Sequence, residues 1–271
     1  MNQFPIFSHT MHNYALFFDI DGTLVSFNTH QIPASTVFAL TQAKANGHKV
    51  FIATGRPPLI ITNLGPIQHL IDGYVTINGA LCFVGNEVVR CKNIPKDDVS
   101  TLVGDAQDKQ YGLIVVGEKD VAVLDPKGEV DRVFRGEIAV QNLDQAKPLD
   151  LVLKQPILQM SPFFSETYEQ EIMKQLPNIT SGRWHPAFTD MTAKGADKGE
   201  GIKAMAEHLG MDLRYTMAFG DGGNDTAMIR RAGIGVAMGN ALDSLKREAD
   251  YVTSSVDNDG ILNALRHFNL I

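Results

Sequence analysis

The sequence predicts an α/β protein in which a doubly wound parallel sheet is interrupted by an inserted α+β domain. Short apolar segments of strand length alternate with helical segments near both ends of the 271-residue chain, which is the pattern of a parallel sheet. Between residues 81 and 186 the alternation gives way to short β-prone runs separated by Gly, Pro and charged turns. We therefore expect a discontinuous core of residues 1–80 and 187–271, with residues 81–186 as the inserted domain.

The composition is that of a globular protein without a nucleic-acid partner. Hydrophobic residues make up 44% of the chain and charged residues 20%, and the formal net charge is -7. An acidic chain offers no basic surface for nucleic acid. No segment approaches the roughly 20 apolar residues that a membrane span needs. Residues 1–13 lack the pattern of a secretion signal, so we expect a cytoplasmic protein.

The two cysteines, Cys82 and Cys91, show neither the CxxC spacing of a zinc site nor a disulfide framework. Two thiols in a reducing compartment are therefore expected.

The first predicted strand, residues 14–18, ends at Asp19-Ile20-Asp21-Gly22-Thr23. The strand's carboxyl end is where open α/β sheets bind ligands, and it holds Asp19 and Asp21 close together. Two like charges at that distance need a cation or a shared proton, and Mg²⁺ suits carboxylates combined with a phosphate. The alternative is an ordinary Asp-Gly turn or cap, which this segment alone does not exclude.

The next elements continue the alternation. A helix over residues 37–46 is stopped by Gly47, and a strand over residues 49–53 ends in Thr54-Gly55-Arg56. A helix follows over residues 59–70, where Gly65-Pro66 must break or kink it. A third strand, residues 74–77, ends in Asn78-Gly79-Ala80.

The same pattern returns after the insertion. A helix over residues 198–209 is followed by a strand over residues 215–219, which ends in Gly220-Asp221-Gly222-Gly223-Asn224-Asp225. Further helices are expected over residues 226–232, 241–248 and 259–268, with a strand over 234–237. If a helix starts near Gly222, Asp221 and Asp225 lie close together and, with the acidic pair after the first strand, could hold one hard cation. Alternatively, Asp225 only complements the helix dipole.

Lys198 opens the helix that re-enters the core. A cation beside the acidic residues would neutralise a bound phosphate and make its phosphorus more electrophilic. Lys194 carries the same charge four residues earlier, and a solvated lysine is the alternative for either.

These segments resemble the four motifs of the haloacid dehalogenase superfamily of phosphatases, in the family's order. The motifs are Asp19-Ile20-Asp21-Gly22-Thr23-Leu24, Thr54-Gly55-Arg56, Lys198-Gly199 and Gly220-Asp221-Gly222-Gly223-Asn224-Asp225. The size and place of the insertion are similar to the Cof-type subgroup with a C2B cap, and most of all to bacterial sugar-phosphate phosphatases. The resemblance implies a Rossmann-like core with an α+β cap that sets substrate specificity.

The resemblance also implies roles for the residues in these motifs. Asp19 is expected to be the nucleophile that forms an aspartyl-phosphate, and Asp21 the acid and base. Mg²⁺ is expected on the Asp19 side chain, the Asp21 backbone carbonyl and Asp221, with Asp225 supporting the ion. The phosphoryl group is expected to be held by Thr54, Gly55, Lys198 and Asn224.

The leaving group is expected in a pocket between cap and core. Arg56, Asn78 and Arg183 are the predicted contacts for sugar hydroxyls. Trp184 offers an aromatic face for a sugar or simply packs the hinge, and His185 is expected to be structural. The partner is thus a small phosphorylated metabolite, a sugar phosphate, and the protein a monomer or small homo-oligomer. A phosphomutase and a non-catalytic sugar-phosphate sensor are the competing hypotheses.

Overall fold

A computed structural model describes residues 13–137 and 145–271 of the chain. Within these residues the strands are β1 Ala15–Phe18, β2 Lys49–Ala53, β3 Gly73–Thr76, β4 Leu81–Val84, β5 Glu87–Cys91, β6 Leu113–Gly117, β7 Val121–Leu124, β8 Ile157–Pro162, β9 Ile179–His185, β10 Phe188–Ala193, β11 Thr216–Gly220, β12 Ile234–Ala237 and β13 Tyr251–Val252. The α-helices are α1 Ala34–Ala45, α2 Lys96–Lys109, α3 Glu129–Asp131, α4 Leu149–Val152, α5 Glu166–Ile172, α6 Lys198–His208, α7 Thr226–Arg231, α8 Asp243–Lys246 and α9 Gly260–His267.

Eight strands form one sheet, here called the core sheet, in the order β13-β12-β11-β1-β2-β3-β4-β5. The first six are parallel to one another, whereas β4 pairs antiparallel with β3 and β5 pairs antiparallel with β4. The last residue of β1, Phe18, lies level with Phe219 of β11 and Ile52 of β2. The residues that follow these three strands therefore meet at one edge, and the predicted α/β fold with a parallel sheet is confirmed.

The central strands are buried on both faces, as parallel strands covered by helices must be. Phe17 stacks on Phe51 with ring centroids 4.9 Å apart, and Phe18 stacks on Phe219 at 4.6 Å. All four rings are fully buried, and each contributes about 1.5–3 kcal/mol through burial. This packing fixes the positions of the strand ends that carry the acidic residues.

A second sheet, here called the cap sheet, is antiparallel and has the order β7-β6-β8-β10-β9. On one face, Leu113 and Met160 pack in a cluster with Leu102 of α2 and Ile172 of α5. The opposite face carries Ile114, Val116 and Phe188, which cluster with Ile77, Ala80 and Leu81 beside the core sheet. The cap sheet thus turns the face opposite α2 and α5 toward the turn that follows β3, and Val130 of α3 packs on this same face with Val133 and Phe134.

One predicted element differs in the structure. The expected helix over residues 59–70 is replaced by short 3₁₀ segments, Pro58–Ile60 and Gly65–Leu70, because prolines interrupt the backbone hydrogen bonding. The predicted division into a core of 1–80 and 187–271 and an insertion of 81–186 stays a prediction. The hairpin that begins at residue 81 pairs with the core sheet, while the cap sheet runs from residue 113 to residue 193.

None of the described helices combines the length and hydropathy that crossing a bilayer requires.

Candidate active site

The predicted acidic and polar residues follow three neighbouring strands and meet at the carboxyl edge of the core sheet. Asp19 follows β1, and its backbone N–H donates to Phe219 O at 3.0 Å. Thr54 follows β2 and is 1% exposed, and Asp221 follows β11. The sequence predicted that polar residues gather at this edge, because several apolar strands end in a polar residue and a glycine.

Lys198 lies between the carboxylates of Asp19 and Asp225. Its Nζ is 2.6 Å from Asp19 Oδ1 and 2.6 Å from Asp225 Oδ1. The ammonium is fully buried, as is Asp225. Asp197 caps α6 by accepting a hydrogen bond from the Glu200 N–H at 2.8 Å, which fixes where the helix starts. Lys194 is exposed, so Lys198 is the lysine that reaches the acidic cluster.

The start of α6 depends on a strained turn after β3. Ile77 and Asn78 have φ values of 53° and 48°, which is uncommon for residues other than glycine. Gly79 follows at φ 83°, and a Cβ there would collide with Asp197 O. The turn is therefore shaped to let the backbone before Lys198 approach closely.

Asp225 uses both carboxylate oxygens inside the protein. Oδ1 pairs with Lys198, and Oδ2 accepts from the N–H groups of Asp221 at 2.9 Å and Gly222 at 2.8 Å. Asp225 therefore holds Lys198 and shapes the loop after β11. With its oxygens occupied, it is better suited to supporting a cation than to binding one directly.

Asp221 is held by a neighbour that the sequence did not single out. Thr23 Oγ1 donates to Asp221 Oδ1 at 2.9 Å. Gly22 has φ 84°, and a Cβ at this position would collide with Asp221 Oδ2. The glycine of the first motif is thus required both for its turn and for the approach of Asp221.

The site holds more negative than positive charge. Asp19, Asp221 and Asp225 each place a carboxylate oxygen within 4.8 Å of the others, and one buried ammonium faces them. Burial raises the pKa of Asp19 to about 8 against the lowering effect of Lys198, and the Asp225 and Asp221 carboxylates add to the rise. Burial likewise raises the pKa of Asp221 to about 6, although the Thr23 hydrogen bond lowers it.

Lys198 stays charged in this setting. Burial acts to lower its pKa, but the Asp19 and Asp225 carboxylates outweigh burial and raise the pKa above its usual range. The excess of carboxylate charge and the all-oxygen donor set fit a hard divalent cation such as Mg²⁺. Asp19 and Asp221 are the side chains best placed to hold it.

Asp21 does not belong to this cluster of carboxylates through its side chain. Its Oδ1 and Oδ2 accept hydrogen bonds from Arg56 Nη2 at 2.7 Å and Arg56 Nε at 2.8 Å. Arg56 was expected to contact the leaving group; the structure adds this pairing with Asp21, and the contact with the leaving group stays a prediction. The planar guanidinium makes two parallel hydrogen bonds to the carboxylate. Because the two residues lie 35 positions apart in the chain, the sequence does not reveal this pair.

Three other predicted residues are neighbours. Asn224 Nδ2 donates to Asn78 Oδ1 at 3.1 Å. A Cβ added to Gly55 would lie 3.1 Å from Asn78 Oδ1 and 3.5 Å from Asn224 Nδ2. Thr54 Oγ1 accepts from the Arg56 N–H at 3.1 Å, which fixes the start of this loop. These groups border the acidic cluster with hydrogen-bonding side chains.

Arg183 is not brought to this site. Its guanidinium pairs with Glu169 at 2.8 Å and donates to the backbone carbonyls of Phe164, His185 and Pro186. These contacts fasten β9 to α5, and the contact of Arg183 with a sugar stays a prediction. The His185 ring stacks on Phe188 at 5.2 Å, which fits the expected structural role, and the side chain of Trp184 lies outside the described part of the structure.

Sequence reasoning missed two further residues around the first motif. Asn240 Nδ2 donates to Gly22 O at 2.8 Å while its Oδ1 accepts from Val256 N–H at 2.9 Å, so it ties the loop after β1 to the loop after β13. Phe27 is 61% exposed and lies against Gly22. A single Asn or Phe in a polar loop gives no sequence signal for such contacts.

Comparison with known proteins agrees with this geometry. The family model of haloacid dehalogenase-like hydrolases matches residues 16–265. The solved structure of BT4131, described as a HAD subclass IIB sugar phosphatase, is 47% identical, with a TM-score of 0.86 over 96% of this chain and 100% of that one. BT1666 from Bacteroides thetaiotaomicron, described among phosphatases of the same superfamily, is 34% identical, with a TM-score of 0.83 over 99% of each chain. The 5-amino-6-(5-phospho-D-ribitylamino)uracil phosphatase YcsE of Bacillus subtilis is 29% identical over 93% of this chain and 94% of its own length.

Proposed function

Because the chain belongs to the haloacid dehalogenase-like hydrolase family and is a phosphoric monoester hydrolase, we propose that it hydrolyses small sugar phosphates through an aspartyl-phosphate on Asp19 with the help of Mg²⁺. One observation carries the proposal: the Asp19 carboxylate is held by Lys198 at the strand edge, beside Asp221 and two residues before Asp21. Sugar phosphates are supported by the similarity over nearly the whole chain to a protein described as a sugar phosphatase.

The first half of the reaction uses Asp19 and Asp21 in turn. A carboxylate oxygen of Asp19 forms a bond to phosphorus as the bond between phosphorus and the ester oxygen breaks. Asp21 gives its proton to the departing oxygen, so the sugar leaves as a neutral hydroxyl. Lys198 keeps Asp19 in position through the 2.6 Å hydrogen bond.

The second half returns the enzyme to its starting state. Asp21 takes a proton from a water molecule, and the water oxygen bonds to phosphorus as the bond from phosphorus to Asp19 breaks. Inorganic phosphate leaves, and both carboxylates are as they began. Thr54 and Lys198 provide hydrogen bonds to the phosphoryl oxygens, and removing one such donor commonly costs about 10²-fold or more in rate.

Mg²⁺ held by Asp19, Asp221 and the Asp21 carbonyl would neutralise charge on the phosphoryl oxygens and act as a Lewis acid. Asp225 would support the ion by fixing Lys198 and the loop that carries Asp221. The cap sheet would cover the leaving group.

A panel of phosphate esters tests the proposal directly. We expect Mg²⁺-dependent phosphate release from sugar phosphates by the wild type and a loss of about 10³-fold or more in Asp19→Asn, because the nucleophile is gone. Asp108→Asn makes the same change at an exposed position on α2 and serves as the control. Release that persists in Asp19→Asn would contradict the proposal, as would activity that chelators leave unchanged.

A further inference from the structure

Each carboxylate of the acidic cluster has at least one oxygen that accepts a hydrogen bond inside the protein. Asp19 Oδ1 accepts from Lys198 Nζ at 2.6 Å, and both oxygens of Asp225 are used. Asp221 Oδ1 accepts from Thr23 Oγ1 at 2.9 Å. In the described part of the chain, no hydrogen-bond donor reaches the second oxygen, Oδ2, of Asp19 or Asp221. The cluster therefore offers a cation one unoccupied oxygen from each of these two residues.

The Thr23 hydroxyl is held in place by its surroundings. The side chain is fully buried, so bulk water does not compete for the hydroxyl. Thr23 lies in a turn that backbone hydrogen bonds close on both sides, from Leu24 N–H to Ile20 O at 3.0 Å and from Gly22 N–H to Val25 O at 2.8 Å. A hydroxyl that donates to a carboxylate makes a stronger hydrogen bond than one between neutral groups. The donor to Asp221 is thus both fixed and strong.

The other oxygen of Asp221 faces the first motif. A Cβ added to Gly22 would collide with Asp221 Oδ2, so this oxygen lies against the Gly22 backbone. The peptide bond before Gly22 carries the Asp21 carbonyl, which is a predicted ligand of the cation. To bind one ion through both oxygens, the Asp221 carboxylate would have to turn about its Cβ–Cγ bond and stretch the hydrogen bond from Thr23. The hydrogen bond therefore favours binding through Oδ2 alone.

Divalent cations of equal charge differ in how they use carboxylates. Mg²⁺ demands near-octahedral geometry at about 2.0–2.1 Å and keeps several waters, and the narrow angle between the two oxygens of one carboxylate does not match an octahedron. Ca²⁺ takes about 6–8 oxygens at about 2.3–2.6 Å and accepts both oxygens of one carboxylate. Carboxylates that each present a single oxygen therefore suit Mg²⁺ and withhold ligands that Ca²⁺ would use.

We propose that Thr23 determines which cation the site takes: by occupying Asp221 Oδ1, it makes Asp221 a ligand through one oxygen and favours Mg²⁺ over Ca²⁺. The inference rests on the proposed phosphatase function and deepens it by naming a residue that selects the cation. Lys198 occupies Asp19 Oδ1 in the same way, but removing its ammonium would also change the charge of the site. Thr23 is neutral, so its hydroxyl can be removed while the charge that attracts both cations stays the same.

The test compares the dissociation constants of Ca²⁺ and Mg²⁺ in the wild type and in Thr23→Val, which replaces the hydroxyl with a methyl group of similar size. Both constants come from the rise in melting temperature with cation concentration, a readout that needs no substrate and no turnover. We expect the ratio of the Ca²⁺ constant to the Mg²⁺ constant to fall about ten-fold or more in Thr23→Val, because the lost hydrogen bond is to a charged acceptor. Thr23→Ser keeps the hydroxyl and should keep the ratio within about two-fold of the wild type.

Thr253→Val is the matched control, because Thr253 is also buried and its hydroxyl donates to a backbone carbonyl, Gly260 O, at 2.7 Å rather than to a carboxylate of the cluster. A ratio in Thr23→Val within about two-fold of the wild type, in a protein whose wild type binds Mg²⁺ and hydrolyses p-nitrophenyl phosphate, would overturn the inference and leave the phosphatase function standing. A wild type that neither binds Mg²⁺ nor hydrolyses this ester would overturn the proposed function and the inference with it. Circular dichroism checks folding, and Thr23→Ala, which also removes the hydroxyl, replaces Thr23→Val if that variant does not fold, with the same fall in the ratio expected.

Discussion

Arg56 donates hydrogen bonds to both carboxylate oxygens of Asp21, at 2.7 and 2.8 Å. The side chains are 29% and 38% exposed, so the pair adds at most about 1 kcal/mol to the free energy of unfolding. Arg56 is itself anchored, because its Nη1 donates to Ile60 O at 3.3 Å. The pair therefore orients Asp21 more than it stabilises the fold, and we propose that Arg56 affects catalysis by positioning Asp21.

Arg56→Lys should lower kcat about 10- to 100-fold with little change in the melting temperature, because lysine keeps the charge but not the planar pair of donors. The loss should be larger for alkyl phosphates, whose leaving oxygen needs a proton, than for p-nitrophenyl phosphate. Steady-state kinetics on both esters measure this. Arg230→Lys is the control, since Arg230 makes the same two-point pair with Glu248 on the surface. A wild-type kcat in Arg56→Lys would show that Asp21 is positioned without Arg56.

Lys198→Met should abolish most activity and also destabilise the protein by about 3–5 kcal/mol, because it leaves Asp19 and Asp225 buried without their cation. Phosphate release and urea denaturation measure the two effects. Lys194→Met makes the same change at an exposed lysine and should alter neither quantity appreciably. Equal losses in the two variants would mean that the buried ammonium has no special role.

The cation should bind more tightly as the pH rises from about 6 to 8. The pKa of Asp19 is raised to about 8 and that of Asp221 to about 6, so protons must leave these carboxylates when a cation binds. For the same reason, the stability that protonation provides in the cation-free protein is lost as the pH rises through these values.

The rise in melting temperature caused by added Mg²⁺ should therefore be larger at pH 8 than at pH 6, and calorimetry in buffers of different ionisation enthalpy should show proton release. Asp221→Asn should reduce both effects. A Mg²⁺-induced shift in melting temperature that is the same at both pH values would contradict the predicted ligands.

His48 should make stability fall in mild acid. Its Nδ1 accepts from the Tyr14 N–H at 3.0 Å, and its Nε2 lies 3.2 Å from Leu270 O, so the neutral ring joins the first strand to the C-terminal segment. Burial lowers the pKa of His48 below 6.5, although the hydrogen bond to Leu270 raises it. The unfolded chain then binds a proton at higher pH than the folded one, so stability is complete above about 6.5 and is lost as the pH falls below it.

Urea denaturation at a series of pH values measures this loss. His48→Asn should be less stable at neutral pH and should show a weaker dependence on pH, whereas His69→Asn, at an exposed position, should behave as the wild type. A His48→Asn variant with the wild-type pH dependence would assign the acid sensitivity to other groups.

The strand ends were predictable because each depends on local sequence. An apolar run that stops at a polar residue and glycine located Asp19, Thr54 and Asp221, and the parallel sheet brought them together. The start of α6 distinguished Lys198 from Lys194.

The partners of side chains were not predictable in the same way. The pairing of Arg56 with Asp21 and of Arg183 with Glu169 depends on the direction in which long side chains leave their loops or strands, which periodicity does not encode. The same holds for the hairpin β4–β5, whose β-prone residues do not show which sheet they join.

The covalent intermediate is the most direct test of the proposed mechanism. The Asp21→Asn variant is incubated with Mg²⁺ and p-nitrophenyl phosphate. Its Asp19 can still attack the phosphorus of the ester, because nitrophenolate leaves without needing a proton. The variant cannot, however, activate water for the second half of the reaction. We expect rapid acid quenching and mass spectrometry of the peptides to find a phosphoryl group on Asp19 in this variant and none in the Asp19→Asn, Asp21→Asn double variant. Release of phosphate by the single variant with no phosphoryl group on Asp19 would contradict an aspartyl-phosphate mechanism.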